Sequence, residues 1–157
     1  PDFLLLQTRS PLVRRDIDLL LQLGSRVRVS MTIETDLEQI RKHFTPGSPP
    51  IAARLETLRI LKSEGIPVQA AIAPALPSSE RFPEILLPVT SRVCIDDYWM
   101  GDGSGGMRTQ SLGIESLYKE LGLEEWHAPS AWKIVYERFR KVYPEEQIFV
   151  SVKGFEP

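Results

Sequence analysis

Short apolar runs alternate with longer stretches of helical spacing along this chain. Phe3 to Thr8, FLLLQT, is a continuous apolar run of strand length, the pattern of a strand buried on both faces. Ser10-Pro11 then offers an N-cap and N1 pair. Leu12, Ile17, Leu20 and Leu21 follow near helical spacing and end at Gly24, a C′ glycine. Arg26 to Ile33 reads as a second strand. Thr35 and Glu38 have capping-box spacing and predict a short helix reaching Phe44. After the TPGSPP turn, Ile51, Leu55, Leu58 and Leu61 share one helical face, closed by Gly65. Ile66 to Leu76 reads as a third strand, with Pro67 at its tolerated first position. A short helix is predicted over 79–87, a fourth strand over 92–97, helices over 110–121 and 130–142, and a fifth strand over 146–152.

That alternation predicts an α/β fold, a parallel sheet with right-handed helical crossovers. Five strands do not close an eight-stranded barrel; an open doubly wound sheet and part of a barrel both suit the count. No repeat or linker divides residues 1–157, so a single domain is expected. Composition agrees: 42% hydrophobic and 25% charged residues are globular values. A net charge of −2 gives no whole-chain footprint for duplex DNA or an anionic membrane. No apolar stretch nears the ~20 residues of a membrane span. No secretory leader is visible either, and the cytoplasm is the expected compartment. The chain opens at Pro1 without Met and enters an apolar run at once, which reads as a piece of a longer protein. Its lone Cys94 excludes an internal disulfide and a Cys-based zinc or iron–sulfur site, and its apolar setting predicts an inert core thiol.

Ligands of parallel α/β sheets bind at the carboxyl ends of strands. Those ends carry Thr8, Arg9 and Ser10; Ser30, Thr32, Glu34 and Thr35; Ala73 and Pro74; and Asp96, Asp97 and Tyr98. Each has an ordinary structural alternative. Arg9 could pair with Asp2 or Asp36. Ser30, inside a strand, needs a hydrogen bond of its own. Glu34 could favour a helix N-terminus. Asp96 and Asp97 point to opposite faces of a strand, so they do not share one metal ion, and one is expected to cap the following loop. His43 and His127 lack ligand spacing, and no metal site is expected. Trp99 and Trp132 read as packing residues. Gly101, Gly103 and Gly106 match the dinucleotide fingerprint by letter, but Tyr98, Trp99 and Met100 separate them from the strand, and Asp102 would repel a pyrophosphate. A phosphate loop would need Lys where Met107 stands. The 101–109 segment, with Asp102 and Arg108, therefore reads as a substrate-side loop or a plain connection.

Three separated segments carry a family likeness. LLLQTRSPLVRRDIDLLLQL, RVRVSMTIET and PPIAARLETLRILKSEGIPVQAAIAPALP resemble, over residues 3–77, the C-terminal half of radical S-adenosylmethionine proteins of the spore photoproduct lyase-like group. In that group a TKSP segment ends the fourth barrel strand, VSxT lies on the fifth, and RLExLRxLxxxGIPV leads to an APxxP turn on the sixth. The resemblance implies a partial TIM-type (β/α) barrel. It implies S-adenosylmethionine lying across the strand ends, at positions matching Thr8, Arg9, Ser30, Thr32 and Ala73. A substrate would lie near Glu34, Asp96, Asp97, Tyr98, Asp102 and Arg108, with a hydrogen abstraction as the reaction. Arg9 replaces the family's Lys with a planar, bulkier group. The family's CxxxCxxC motif for a [4Fe–4S] cluster is missing here. Cofactor and cluster are thus expected in a full-length parent, and this chain alone is expected to be inactive. The implied partners are the N-terminal half of the same protein and, through the first strand, another copy of this chain. Nucleic acid enters by family analogy only, and no membrane is implied. The alternative is a non-catalytic α/β domain binding a small ligand or partner in the strand-end cleft.

Overall fold

The computed structural model describes residues 2–100 and 113–157. The predicted substrate-side loop at 101–109, with Asp102 and Arg108, lies outside the described residues. Five strands form one sheet: β1 (Leu4–Thr8), β2 (Val27–Thr32), β3 (Val68–Ile72), β4 (Val93–Ile95) and β5 (Ile148–Val150). Their order is β1-β2-β3-β4-β5 and every pairing is parallel. Helices fill the crossovers: α1 (Ile17–Leu23), α2 (Glu38–Phe44), α3 (Ile51–Ser63), α4 (Phe82–Leu86), α5 (Ile114–Glu120) and α6 (Ala131–Phe139). The α/β parallel sheet with helical crossovers is thus the fold that the alternation predicts. Every crossover steps to the next strand in the same direction, as between neighbouring strands of a barrel wall. A doubly wound sheet would reverse direction once, and no reversal occurs among the described strands.

The register sorts side chains onto two faces. Val27, Val29 and Met31 of β2 align with Leu4, Leu6 and Thr8 of β1, and Val29 and Met31 align with Val68 and Ala70 of β3. Ala70 and Ile72 align with Val93 and Ile95. Of these residues Val27, Val29, Met31, Ala70, Ile72, Val93 and Ile95 join Leu20, Leu58, Leu61, Phe82, Val135 and Phe139 of the helices in one apolar cluster, which defines the helix face. The intervening residues, Arg28, Ser30, Thr32, Gln69, Ala71 and Cys94, form the second face, which is largely polar.

Several sequence expectations are corrected. The first strand is not buried on both faces, with Leu4 37% exposed; it pairs only with β2 among the described residues, which leaves open the edge that pairing with another chain would use. The first predicted helix begins as a 3-10 turn over Pro11–Asp16 before α1. Ser10 caps that turn through a bond from the Leu12 N–H, while Leu12, Leu19 and Leu21 face outward. The capping box does not form. The Thr35 hydroxyl donates to the Pro77 carbonyl at 2.6 Å and accepts from the Leu37 N–H. Glu38 instead accepts from the Ile51 N–H and from Arg41, tying the start of α2 to the start of α3. The buried Arg41 guanidinium donates to the Thr45, Pro46 and Ser48 carbonyls, which fixes the intervening turn. Strand three stops at Ile72, before a cis Ala73–Pro74 bond. Strand five is only three residues long and runs straight into a 3-10 segment, Ser151–Phe155.

Candidate functional site

The carboxyl ends of β1, β2 and β3 meet at one ion cluster. Arg9 Nε donates to Glu34 Oε1 at 2.6 Å, and Arg9 Nη2 reaches the Ala73 carbonyl at 3.5 Å. From α3, Arg54 Nη1 donates to Glu34 Oε2 and to the Thr32 carbonyl, both at 2.7 Å. Glu34 and Arg54 are fully buried, whereas the Arg9 side chain is 44% exposed. Burial alone would raise the Glu34 pKa, but the two guanidinium groups outweigh it and hold the carboxyl below its usual range. Thr8 turns its hydroxyl to the Ser10 N–H, shaping the bend that presents Arg9.

Sequence reading found Arg9, Glu34, Thr32 and Ala73 but missed Arg54. The signal was present: Arg54 sits on the same stripe as Ile51, Leu58 and Leu61, a charge where the helical period calls for an apolar residue. The predicted partners of Arg9, Asp2 and Asp36, are not its partners; Asp36 accepts from the Ser79 backbone and hydroxyl instead. With both carboxylate oxygens engaged, Glu34 positions Arg9 and leaves little of itself for a ligand.

At the end of β4 the two aspartates divide their tasks. Asp97 Oδ1 accepts from the Trp99 and Met100 N–H groups, both at 2.7 Å, and so caps the loop as expected for one of the pair. Asp96 is 5% exposed and accepts from the Asp97 N–H. Burial, reinforced by the neighbouring Asp97 charge, raises the Asp96 pKa. Tyr98 leads into an aromatic cluster. Its ring meets Tyr118 edge-on at 6.4 Å, Tyr118 lies 5.2 Å from His127, and His127 lies 5.7 Å from Trp99. Burial pushes the Tyr98 hydroxyl up to about 12 and raises that of Tyr118 as well. Tyr118 and His127 line a cavity of about 180 Å³ with Glu115, Lys119 and Glu124. The Tyr118 hydroxyl and His127 Nε2 are buried, and among the described residues neither meets a hydrogen-bond partner within bonding geometry. His127 thus serves the aromatic cluster as well as ending a 3-10 turn. A larger cleft of about 570 Å³ opens beside it, walled by Leu37, Ile40, His43, Pro77 and Trp126.

Ser30 lies elsewhere. It is fully buried on the polar face, where its hydroxyl accepts from Gln69 Nε2 at 2.9 Å. This is the hydrogen bond that its position inside a strand requires. Cys94 is buried, and desolvation pushes its thiol up to about 12, so it is protonated at neutral pH. One protonated thiol does not suit an iron–sulfur cluster, which needs several thiolates. No group of three metal-ligating side chains occurs among the described residues. For S-adenosylmethionine the polar groups within reach at the rim are the half-exposed Arg9 guanidinium, a donor, and the Ala73 carbonyl, an acceptor; the Ser30 hydroxyl is fully buried.

These features define an α/β parallel-sheet domain with a charged and aromatic cluster at the carboxyl end of its strands. No family model matches the chain, and no solved structure matches it. A stretch of 76 residues is 40% identical to a protein of Acidianus two-tailed virus described as "Uncharacterized protein ORF301". The match takes in 48% of this chain and 25% of that protein, so the chain spans about a quarter of the length of the relative it matches. No helix among the described residues is long and apolar enough to cross a membrane.

Proposed function

We propose that this chain is the C-terminal part of a radical S-adenosylmethionine enzyme, forming one arc of its (β/α) barrel. One observation carries the reading. Arg9 of TRSP bonds both Glu34, which follows VSMTI, and the Ala73 carbonyl, which opens APAL. The three segments that carry the family likeness thus meet at one strand end, where the likeness requires a cofactor. The sequential parallel strand order is also that of a barrel arc.

In this reading Arg9 and the Ala73 carbonyl hold S-adenosylmethionine at the rim, with Glu34 and Arg54 fixing the angle of Arg9. Bound S-adenosylmethionine would supply the group that abstracts hydrogen from the substrate. Asp96, Asp97 and Tyr98 flank the substrate side. The [4Fe–4S] cluster does not suit this chain, and the reading assigns it to an N-terminal half of the same protein. The exposed β1 edge and the exposed Leu4, Leu12, Leu19 and Leu21 support such a neighbour. Anaerobic reconstitution of the full-length parent tests this. We expect 5′-deoxyadenosine on reduction with the cofactor present, and its loss in the Arg9→Ala parent. A reconstituted, reduced parent that yields none overturns the reading.

A second reading is favoured by the cavity at Tyr118 and His127, which holds two buried polar atoms without a partner among the described residues. There the chain is a binding module for a small ligand and catalyses nothing. It predicts ligand-induced thermal stabilisation that Tyr118→Phe abolishes and Arg9→Ala leaves intact.

A further inference from the structure

The polar face of the sheet is covered by the protein's own backbone. After β5 the chain turns at Ser151, whose φ of 51° is unusual for a residue with a side chain. The following 3-10 segment then crosses the polar face. Each contact comes from that face. Gln69 Nε2 donates to the Gly154 carbonyl at 3.0 Å. The Cys94 thiol approaches the Ser151 carbonyl at 3.5 Å. Arg28 Nη1 and Arg92 Nη2 both reach the Glu156 carbonyl, at 2.8 and 3.4 Å. Arg92 Nε also donates to Gln69 Oε1, and its guanidinium lies 3.5 Å from the centre of the Phe149 ring. Gly154 sits so close to Cys94 that an added Cβ would fall 2.1 Å from Sγ. Glycine is required there by space and not by backbone angle.

We infer that the 151–156 segment is a plug that seals the amino-end half of the polar face and opens as a unit, separately from the rest of the fold. Its attachment differs in kind from that of the helices. It is held by hydrogen bonds to carbonyls and one close glycine contact, and Val152, at 68% exposed, contributes almost nothing to the apolar core. Segments with few buried apolar contacts open at lower free energy than the core. Arg28 and Arg92 have no carboxylate partner among the described residues, so two neighbouring cations share one carbonyl, a weak clasp. While the plug is seated, the fully buried Ser30 and Gln69 are out of a ligand's reach. The plug rests on the polar-face contacts alone and holds for either reading of function.

Cys94, the chain's single thiol, lies beneath the plug and reports its opening. The experiment follows labelling of Cys94 by an aromatic disulfide reagent in the 157-residue protein at rising, sub-denaturing urea. We expect a labelling rate nearly independent of urea below the unfolding transition. We expect it roughly tenfold or more faster in Gly154→Val and in the Arg28→Gln/Arg92→Gln pair, with the cooperative unfolding transition retained. The double variant keeps the test sound if Gly154→Val fails to fold. Labelling that climbs with urea at the slope of global unfolding overturns the plug. So does a rate unchanged in both variants, or loss of the cooperative transition in both.

Discussion

Over β2, β3 and β4 the two faces of this sheet are both largely buried, yet by opposite means. The helix face is dry and apolar, with Val29, Met31, Ile72 and Ile95 packed against Leu58, Leu61 and Phe139. The polar face keeps Ser30, Gln69 and Arg92 and satisfies them with each other and with the backbone at Gly154 and Glu156. Apolar packing tolerates any side chain of suitable volume. A buried polar network tolerates little, because each lost partner leaves another atom unsatisfied. The carboxyl end combines both conditions, since the Glu34–Arg54 pair is fully buried where helix face and strand ends meet.

The largest effect should come from breaking that pair. Glu34→Ala strands the Arg54 guanidinium, whose Nε and Nη2 already find no acceptor among the described residues. A loss of about 3–5 kcal/mol is expected for removing one partner of a buried ion pair. Arg9→Ala removes only the half-exposed partner and should cost about 1 kcal/mol or less. Urea titration of both variants decides it; equal losses would mean that Arg9, not Arg54, holds the cluster. On the helix face, Leu58→Ala should cost about 2–5 kcal/mol as a cavity in a packed core. Unlike Glu34→Ala, that loss should not vary with pH. Glu34, held below its usual range, contributes stability that is present above the unfolded carboxyl value of about 4.3 and is lost as pH falls through its folded value.

Legibility in the sequence follows the same division. The helix face was legible because Ile51, Leu58 and Leu61 and the apolar strand runs repeat with the period of the element that carries them. The strand count, the parallel arrangement and the candidates at the strand ends follow from that pattern. What the sequence hid was pairing over long separations. Nothing local says that Arg54 reaches Glu34 twenty residues back, or that Gln69 reaches Gly154 eighty-five residues on. Thr35 and Glu38 had capping-box spacing, but tertiary partners at Pro77 and Ile51 took both side chains. FLLLQT was read as doubly buried because apolar content alone does not show whether a strand has one neighbour or two.

A smaller effect probes the polar face. Ser30→Ala removes one acceptor from Gln69 Nε2, which keeps its bond to the Gly154 carbonyl. About 0.5–1.5 kcal/mol should be lost in urea titration. If Ser30 serves the plug, the same variant should leave any ligand affinity at the carboxyl end unchanged.

The smallest effect carries the sharpest sign. Asp96 and Glu34 are both buried carboxyls at strand ends, but Asp96 has no ion-pair partner among the described residues, and burial with the nearby Asp97 raises its pKa. In the interval between the unfolded value, about 3.9, and the raised folded value, the native state therefore binds more protons than the unfolded state. Its contribution to stability is fully present below the lower limit and is lost as pH rises through the upper one. Glu34 runs the other way. Asp96→Asn keeps an acceptor for the Asp97 N–H while removing the charge, so the variant should escape that loss. Relative to the parent chain, its stability should improve as pH is raised from 4 toward 7. A parallel pair of curves would mean that Asp96 is ionised at no cost, hydrated or paired at the mouth of the site, and that this strand end is as open to solvent as Arg9.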